Sequence, residues 1–300
     1  MKKIFLLLMA AMLTTNVFGG YPQIGDLYYS LDEDQKRAHV ISPPWLNGNY
    51  TGLVVVDIPE CVAYDDVAFV VNEIGYEAFR FAKTLVSVTV PTTVGYIAAG
   101  AFFGCEALVE VNLPHSIVRL EKSTFSGCSS LSTFFIPSTV KEIKNSVFYD
   151  CTSLQNINIP NGVLYIGDNC FYNCYSLESV RLGNGLTSIG KAAFAYCSSL
   201  TEITIPGNIK RIGDEAFSNC SSLQKVGIKN GVVSIGSCAF RQCSSLTWIA
   251  LPASLMTIES NAFVGCDKLQ TILVPYGKKA HFLARLDSSL HHLVREAQPR

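Results

Sequence analysis

The chain has 300 residues, 49% hydrophobic and only 16% charged, so it can bury a sizeable core and is neither disordered nor a coiled coil. With 23 Lys and Arg against 24 Asp and Glu, the net charge of −1 provides no global field for nucleic acid. Eleven cysteines are too sparse for a small disulfide scaffold, and their odd number leaves at least one thiol unpaired within the chain.

The first twenty residues carry an export signal. Lys2 and Lys3 precede ten apolar residues, Ile4 to Leu13, and the small residues Gly19 and Gly20 follow, which predicts a signal peptide (1–20) cleaved near Gly19/Gly20. Ten apolar residues span about 15 Å as a helix, half the hydrocarbon thickness, and no later segment is a candidate transmembrane span. The expected location is secreted or cell surface. Residues 21–73 read as an N-terminal β-rich cap. Leu27, Tyr29 and Leu31 alternate before a turn at Asp32–Asp34, and a hairpin is expected to turn at Asp65-Asp66. The stretch Val56-Asp57-Ile58-Pro59-Glu60-Cys61-Val62 reads as a leading half-repeat.

From 74 to 280 the sequence keeps a 23-residue period without insertion. Phenylalanine recurs at Phe79, Phe102, Phe125, Phe148, Phe171, Phe194, Phe217, Phe240 and Phe263. A leucine follows six residues after each, from Leu85 to Leu269. Cysteine stands three residues after the Phe in eight repeats, Cys105 to Cys266, with Ala82 the exception. Proline stands twelve after it except at Gly183 and Lys229, and Ile or Leu five before it throughout. Such a drift-free period predicts a solenoid. In each unit Leu-x-x-Ile-x-Ile gives a short strand with one buried face. Proline ends that strand, and an Asp, Asn or Ser such as Asp214 or Asn145 is placed to cap a helical turn carrying the Phe. The expected fold is therefore a solenoid of nine repeats. A parallel β-sheet lies on one face and short helical turns on the other.

The cycle IGxxAFxxCxSLxxIxIPxxVxx resembles the BspA-like leucine-rich repeats of bacterial surface and secreted proteins. That resemblance implies a leucine-rich repeat solenoid engaged in adhesion to an extracellular or host protein.

Beyond the repeats, Leu283, Leu286, Leu290, Leu293 and Val294 fall at helical spacing and predict a C-terminal capping helix and tail over 281–300. The cysteine column has one member per rung, without the close pairs zinc requires, so no metal and no cofactor are expected. Its residues read as small buried hydrophobes, and the rung spacing also admits disulfides between neighbours. The five histidines stand near no nucleophile or carboxylate at a catalytic spacing, and no phosphate loop or hydrolase motif occurs, so no enzyme is expected.

Function is then expected on the outward positions of the sheet, the third and fifth of each strand. These vary while the frame does not. Phe135 and Trp248 would expose aromatics there, and Arg181, Glu202 and Lys225 stand on consecutive strands. These five residues are the candidate ligand-binding positions. The expected activity is non-enzymatic binding of a protein through the sheet face. Capture of a glycan or peptide, or self-assembly into a surface layer, are the alternatives.

Overall fold

In the computed structural model, residues 16–18, 20–45 and 48–298 are described. The predicted leader falls mostly outside them. Asn16–Phe18, which would leave with it, pair antiparallel with Tyr21–Ile24 in the full chain.

Each 23-residue unit makes one rung of a coil, most with two short strands, and the rungs stack in parallel. The front sheet is built from the predicted strands: Ser87–Thr89, Glu110–Asn112, Asn156–Asn158, Ser179–Arg181, Glu202–Ile205, Lys225–Ile228, Trp248–Ala250 and Thr271–Val274. Its inward residues Val88, Ile157, Ile203, Val226 and Ile249 are buried, and pairing is in strict 23-residue register. Ahead of the first rung, Val55–Asp57 pairs with Ser87–Thr89. A second parallel sheet runs behind the first. It consists of two-residue strands from Arg119–Leu120 to Thr257–Ile258, each burying the Ile or Leu that stands five residues before the Phe.

The third side carries the phenylalanines. It is made of successive turns, with no α-helix among the described residues of the repeats. Residues two before and two after the Phe take left-handed backbone conformations even where they are not glycine. Ser146/Asp150, Asn169/Asn173, Ala192/Tyr196 and Glu215/Asn219 have φ between 51° and 62°. Such residues are individually unfavourable, and they persist because the neighbouring rung fixes them. The Phe N–H of each rung donates to the carbonyl before the next Phe at 2.7–3.0 Å, from Phe79 to Ala101 through Phe240 to Ala262. The polar residues predicted to cap helices serve the next rung instead. Asn145 Oδ1 accepts from the Asp168 N–H, Asp168 Oδ1 from Lys191, and Asp214 Oδ1 from Ser237, at 2.8–3.1 Å.

Inside, the nine Phe rings form one stack, with centroids 5.0–5.8 Å apart and planes within 12°. The cap closes its N-terminal end with Tyr50. That ring lies 5.2 Å from Phe79, while its hydroxyl donates to the Ile41 carbonyl and accepts from the Tyr28 N–H. The cap itself is a sheet of Tyr21–Ile24, Leu27–Asp32, Arg37–Ile41, Val67–Ile74 and Cys61–Tyr64. Its last two strands are joined by a hairpin at Asp65-Asp66, both left-handed.

The cysteine column has a specific partner. Every column thiol donates to the carbonyl of the Phe one rung back, from Cys105 to Phe79 through Cys266 to Phe240, at 3.0–3.3 Å. The exception now has a reason: Ala82 sits in the first rung, where no earlier Phe carbonyl exists. All eleven cysteines are free thiols, so the rung-to-rung disulfides the spacing admits are not formed. Burial pushes the column thiols from Cys105 to Cys220 up, Cys105 and Cys220 to about 12.

At the far end, the single helix expected over 281–300 is not formed. The α-helix covers only Lys279–Leu283, because Asp287 adopts an extended conformation and its carboxylate accepts from the Ser289 N–H. A 3-10 helix, Ser288–Leu293, follows. The chain then closes with the strand Val294–Glu296, paired in parallel with Thr271–Val274. Phe282, Leu286 and Val294 are buried there against the last rung.

In the native protein a thiol reagent should label Cys61 and Cys238, the half-buried pair, and reach the nine buried cysteines only after denaturation. Mass spectrometry after brief alkylation counts them. Cys174→Ala should cost about 1–3 kcal/mol through the lost packing and the lost second hydrogen bond of the Phe148 carbonyl, which keeps only the Cys151 N–H. Cys170→Ala should cost less, since alanine holds that place in most rungs. Urea unfolding of the two variants checks this.

Candidate functional site

The front sheet is continuous except at two places. Between the second and third rungs, Phe134 occupies the inward position that Val or Ile fills elsewhere. Its ring packs 4.9 Å from Phe125 and 4.8 Å from Phe148, and only Thr133 keeps a bridge, to Asn156. The added bulk displaces the strand from the ladder.

The second break, between rungs five and six, has a different origin. Ser179–Arg181 pairs with Asn156–Asn158, and Glu202–Ile205 pairs with Lys225–Ile228, but the two pairs are not joined to each other. The turns explain the separation. Gly183, standing where proline is the rule, lies so close to the Pro160 carbonyl that a Cβ there would collide with it. Gly185 is equally close to the Asn161 carbonyl, so the fifth turn is drawn onto the fourth. Gly207 is drawn the other way, against the Asn230 carbonyl of rung seven. One side-chain bond, from Asn208 Nδ2 to the Asn184 carbonyl, spans the gap.

A cleft of about 420 Å³ occupies this break. Ser179, Arg181, Glu202 and Thr204 line it from the strands, and Asn161, Asn184, Pro206 and Lys229 from the turns. Arg181, Glu202 and Lys229 are exposed, and none forms an ion pair among the described residues, nor does Lys225. Where the sheet is split, the facing backbone edges also lack ladder partners. The cleft therefore offers hydrogen-bonding backbone, amides, hydroxyls and fixed charges of both signs to a ligand.

Of the five sequence-predicted positions, Arg181 and Glu202 line the cleft. Lys225 and Trp248 extend the Glu202 row across the next two strands in direct register. Lys225 is exposed and Trp248 half-buried. Phe135 is 69% exposed but stands apart, on rung three beside the other break. Sequence reasoning missed Lys229, Asn161 and Asn184. The available signal was the interrupted proline column: one departure, Gly183, shapes the cleft, and the other, Lys229, lines it. Among the described residues no group of His, Cys, Asp and Glu is arranged to hold a metal ion.

These features place the molecule among solenoid binding scaffolds. The model for the BspA type leucine rich repeat region matches residues 72–201 and 164–281 in six copies, and the chain belongs to that family. Its members are in general non-enzymatic binding scaffolds. No curated protein matches the chain. Among solved structures, a leucine-rich repeat protein from Bacteroides ovatus is similar, at 24% identity and TM-score 0.58, over 92% of this chain and 99% of that one. A leucine rich cell surface protein from Faecalibacterium prausnitzii is similar at 24% identity and TM-score 0.58, over 97% of each chain. The leucine rich repeat protein of T. pallidum is similar at 26% identity and TM-score 0.51, over 81% of this chain and 88% of that one. No helix among the described residues is long and apolar enough to cross a membrane.

Gly185→Ala should lower the thermal midpoint measurably, because the new Cβ must push the Asn161 carbonyl or move the fifth turn into the cleft. A loss of about 1–3 kcal/mol is expected. Gly227→Ala, whose Cβ would meet only Thr204 Oγ1 at 3.7 Å, is the tolerated control. Thermal unfolding followed by circular dichroism distinguishes them.

Proposed function

We propose that this protein is exported and acts at a cell surface as an adhesion-type binding protein. In this reading, the front face from the fifth rung to the eighth engages an extracellular or host protein. The observation that carries it is the coincidence of unpaired charges, Arg181, Glu202, Lys225 and Lys229, with a split in the sheet that opens into a cleft. Buried or half-enclosed polar groups without partners reward a ligand that supplies them, and fixed charges of both signs select for a complementary pattern. Trp248, half-buried at the end of the row, provides the apolar anchor usual in protein interfaces. The description of the Faecalibacterium prausnitzii protein as a cell surface protein supports the proposed location.

Self-assembly through the solenoid end is disfavoured by the last strand. Its outward edge carries Arg295 and Glu296, and Arg295 and Glu296 are tied to the His292 carbonyl and the Lys279 N–H. Charged residues on an edge strand oppose pairing with a further strand.

The test is binding of the chain without its leader, residues 20–300, to arrays of matrix proteins and glycans. Arg181→Ala and Lys229→Ala should each weaken a specific hit by about tenfold or more. Trp248→Ala should weaken it as well, and Phe135→Ala should leave it within about twofold. A hit that survives all of the first three variants would sink the assignment to this face. If no array member binds while the protein self-associates with concentration, the structural alternative takes over.

A further inference from the structure

A second cleft, also of about 420 Å³, lies at the seam between the N-terminal cap and the first rung, away from the front face. Gln35, Lys36 and Arg37 of the cap hairpin line one side, and Asn72, Thr93 and Tyr96 the other. Three independent features meet there.

The first is a β-bulge. Arg37–Ile41 and Val67–Ile74 pair in parallel, with Ala38 opposite Val71 but His39 opposite Glu73, so Asn72 is the extra residue. Bulges are rare between parallel strands and commonly serve to re-aim a side chain. The second is a pair of orphaned polar atoms. Asn72 Oδ1 and Thr93 Oγ1 are closed to solvent and have no hydrogen-bond partner. An unsatisfied buried polar group is unfavourable, so its retention calls for a cause. The third is charge. Lys36 and Arg37 form no ion pair with a carboxylate among the described residues; Glu73 stands 3.8 Å from His39, and Glu121 pairs with Arg119. Lys36, which lines the cleft, also lies 5.6 Å from the centre of the buried Phe69 ring.

We propose that this seam binds an acidic monosaccharide, a sugar bearing a carboxylate. The carboxylate is received by Arg37 and Lys36. Ring hydroxyls donate to Asn72 Oδ1 and exchange a hydrogen bond with Thr93. A neutral sugar lacks the first contact and a simple inorganic anion lacks the second. The cleft volume falls in the range of small-molecule sites, roughly 300–1,000 Å³. Both orphaned atoms are closed when the cleft is empty, so the exposed side chains of Gln35, Lys36 and Arg37 move outward as the ligand enters.

The experiment is isothermal titration of the protein with glucuronate, N-acetylneuraminate, glucose and inorganic phosphate, and the same titrations with four variants. Glucuronate or N-acetylneuraminate should bind at least tenfold more tightly than glucose and phosphate. Lys36→Gly, which suits the left-handed backbone at that residue (φ 53°), and Arg37→Gln should each weaken binding about tenfold. Thr93→Val should weaken it while leaving the thermal midpoint unchanged or higher, since it removes an orphaned hydroxyl without changing shape. Arg181→Ala, in the front cleft, should have no effect, which separates this site from the front face. Absence of binding by both sugar acids, equal binding of phosphate, or binding indifferent to Thr93→Val in a folded variant would each overturn the proposal.

Discussion

In every rung but the last the Phe carbonyl accepts two hydrogen bonds, and the rest of the molecule depends on how they are supplied. One comes from the N–H of the residue three positions on, which closes the turn around the ring. The other comes from the thiol of the next rung, 26 residues away. The first bond fixes the local turn, with its unfavourable left-handed residues, and the second ties that turn to its neighbour. A serine hydroxyl would be costlier to bury, and an alanine would leave the carbonyl half-satisfied. Cysteine is small and apolar enough for the core and still carries a donor. This explains the strict period. An inserted residue would break the thiol bond, the ring stack and both ladders together.

A frame so constrained leaves few ways to create a site. Side chains that point outward can vary, but a flat parallel sheet encloses nothing, so a cleft requires the ladder to part. In this molecule it parts where two neighbouring turns are pulled in opposite directions, the fifth towards the fourth and the sixth towards the seventh. Glycine permits both displacements by allowing carbonyls to approach the backbone. The front cleft is thus made by subtracting side chains from the turns. The Phe134 break shows the contrasting case, where adding bulk separates strands.

Much of this was legible in the sequence because it repeats. The front strands, the Phe, Cys and Leu columns and the outward positions each recur nine or nearly nine times, and recurrence turns a weak local pattern into a strong one. The back sheet was not legible. Its strands are two residues long and bury one side chain each, which is too short for any alternation to appear. The Phe turns read as helical because Asp214 and its equivalents have the chemistry of helix caps. That chemistry is used between rungs, a contact that no single repeat contains. The C-terminal leucines do fall at helical spacing, and the helix is cut by the preference of Asp287 for its own Asx turn with Ser289. Arg181 and Glu202 were visible as outward residues, but the cleft that joins them rests on Gly183, Gly185 and Gly207 acting together.

The cap presents the same logic from the other direction. A solenoid end exposes a ring stack and two unpaired ladders, and the cap must close all three at once. Tyr50 completes the stack, and its hydroxyl, satisfied on both sides, anchors it to the cap strands. Val55–Asp57 completes the front ladder, and Val67–Ile74 pairs with Tyr96–Ile97, the back-face strand of the first rung. The last strand must also pair with Arg37–Ile41 on its other side. A strand with one neighbour set by the 23-residue coil and another by an antiparallel cap has two registers to satisfy. The bulge at Asn72 is where the mismatch is absorbed. The seam is therefore a place where polar side chains are positioned by neither the repeat nor the cap alone. That is the physical reason why a frame with so little freedom has unpartnered polar atoms there.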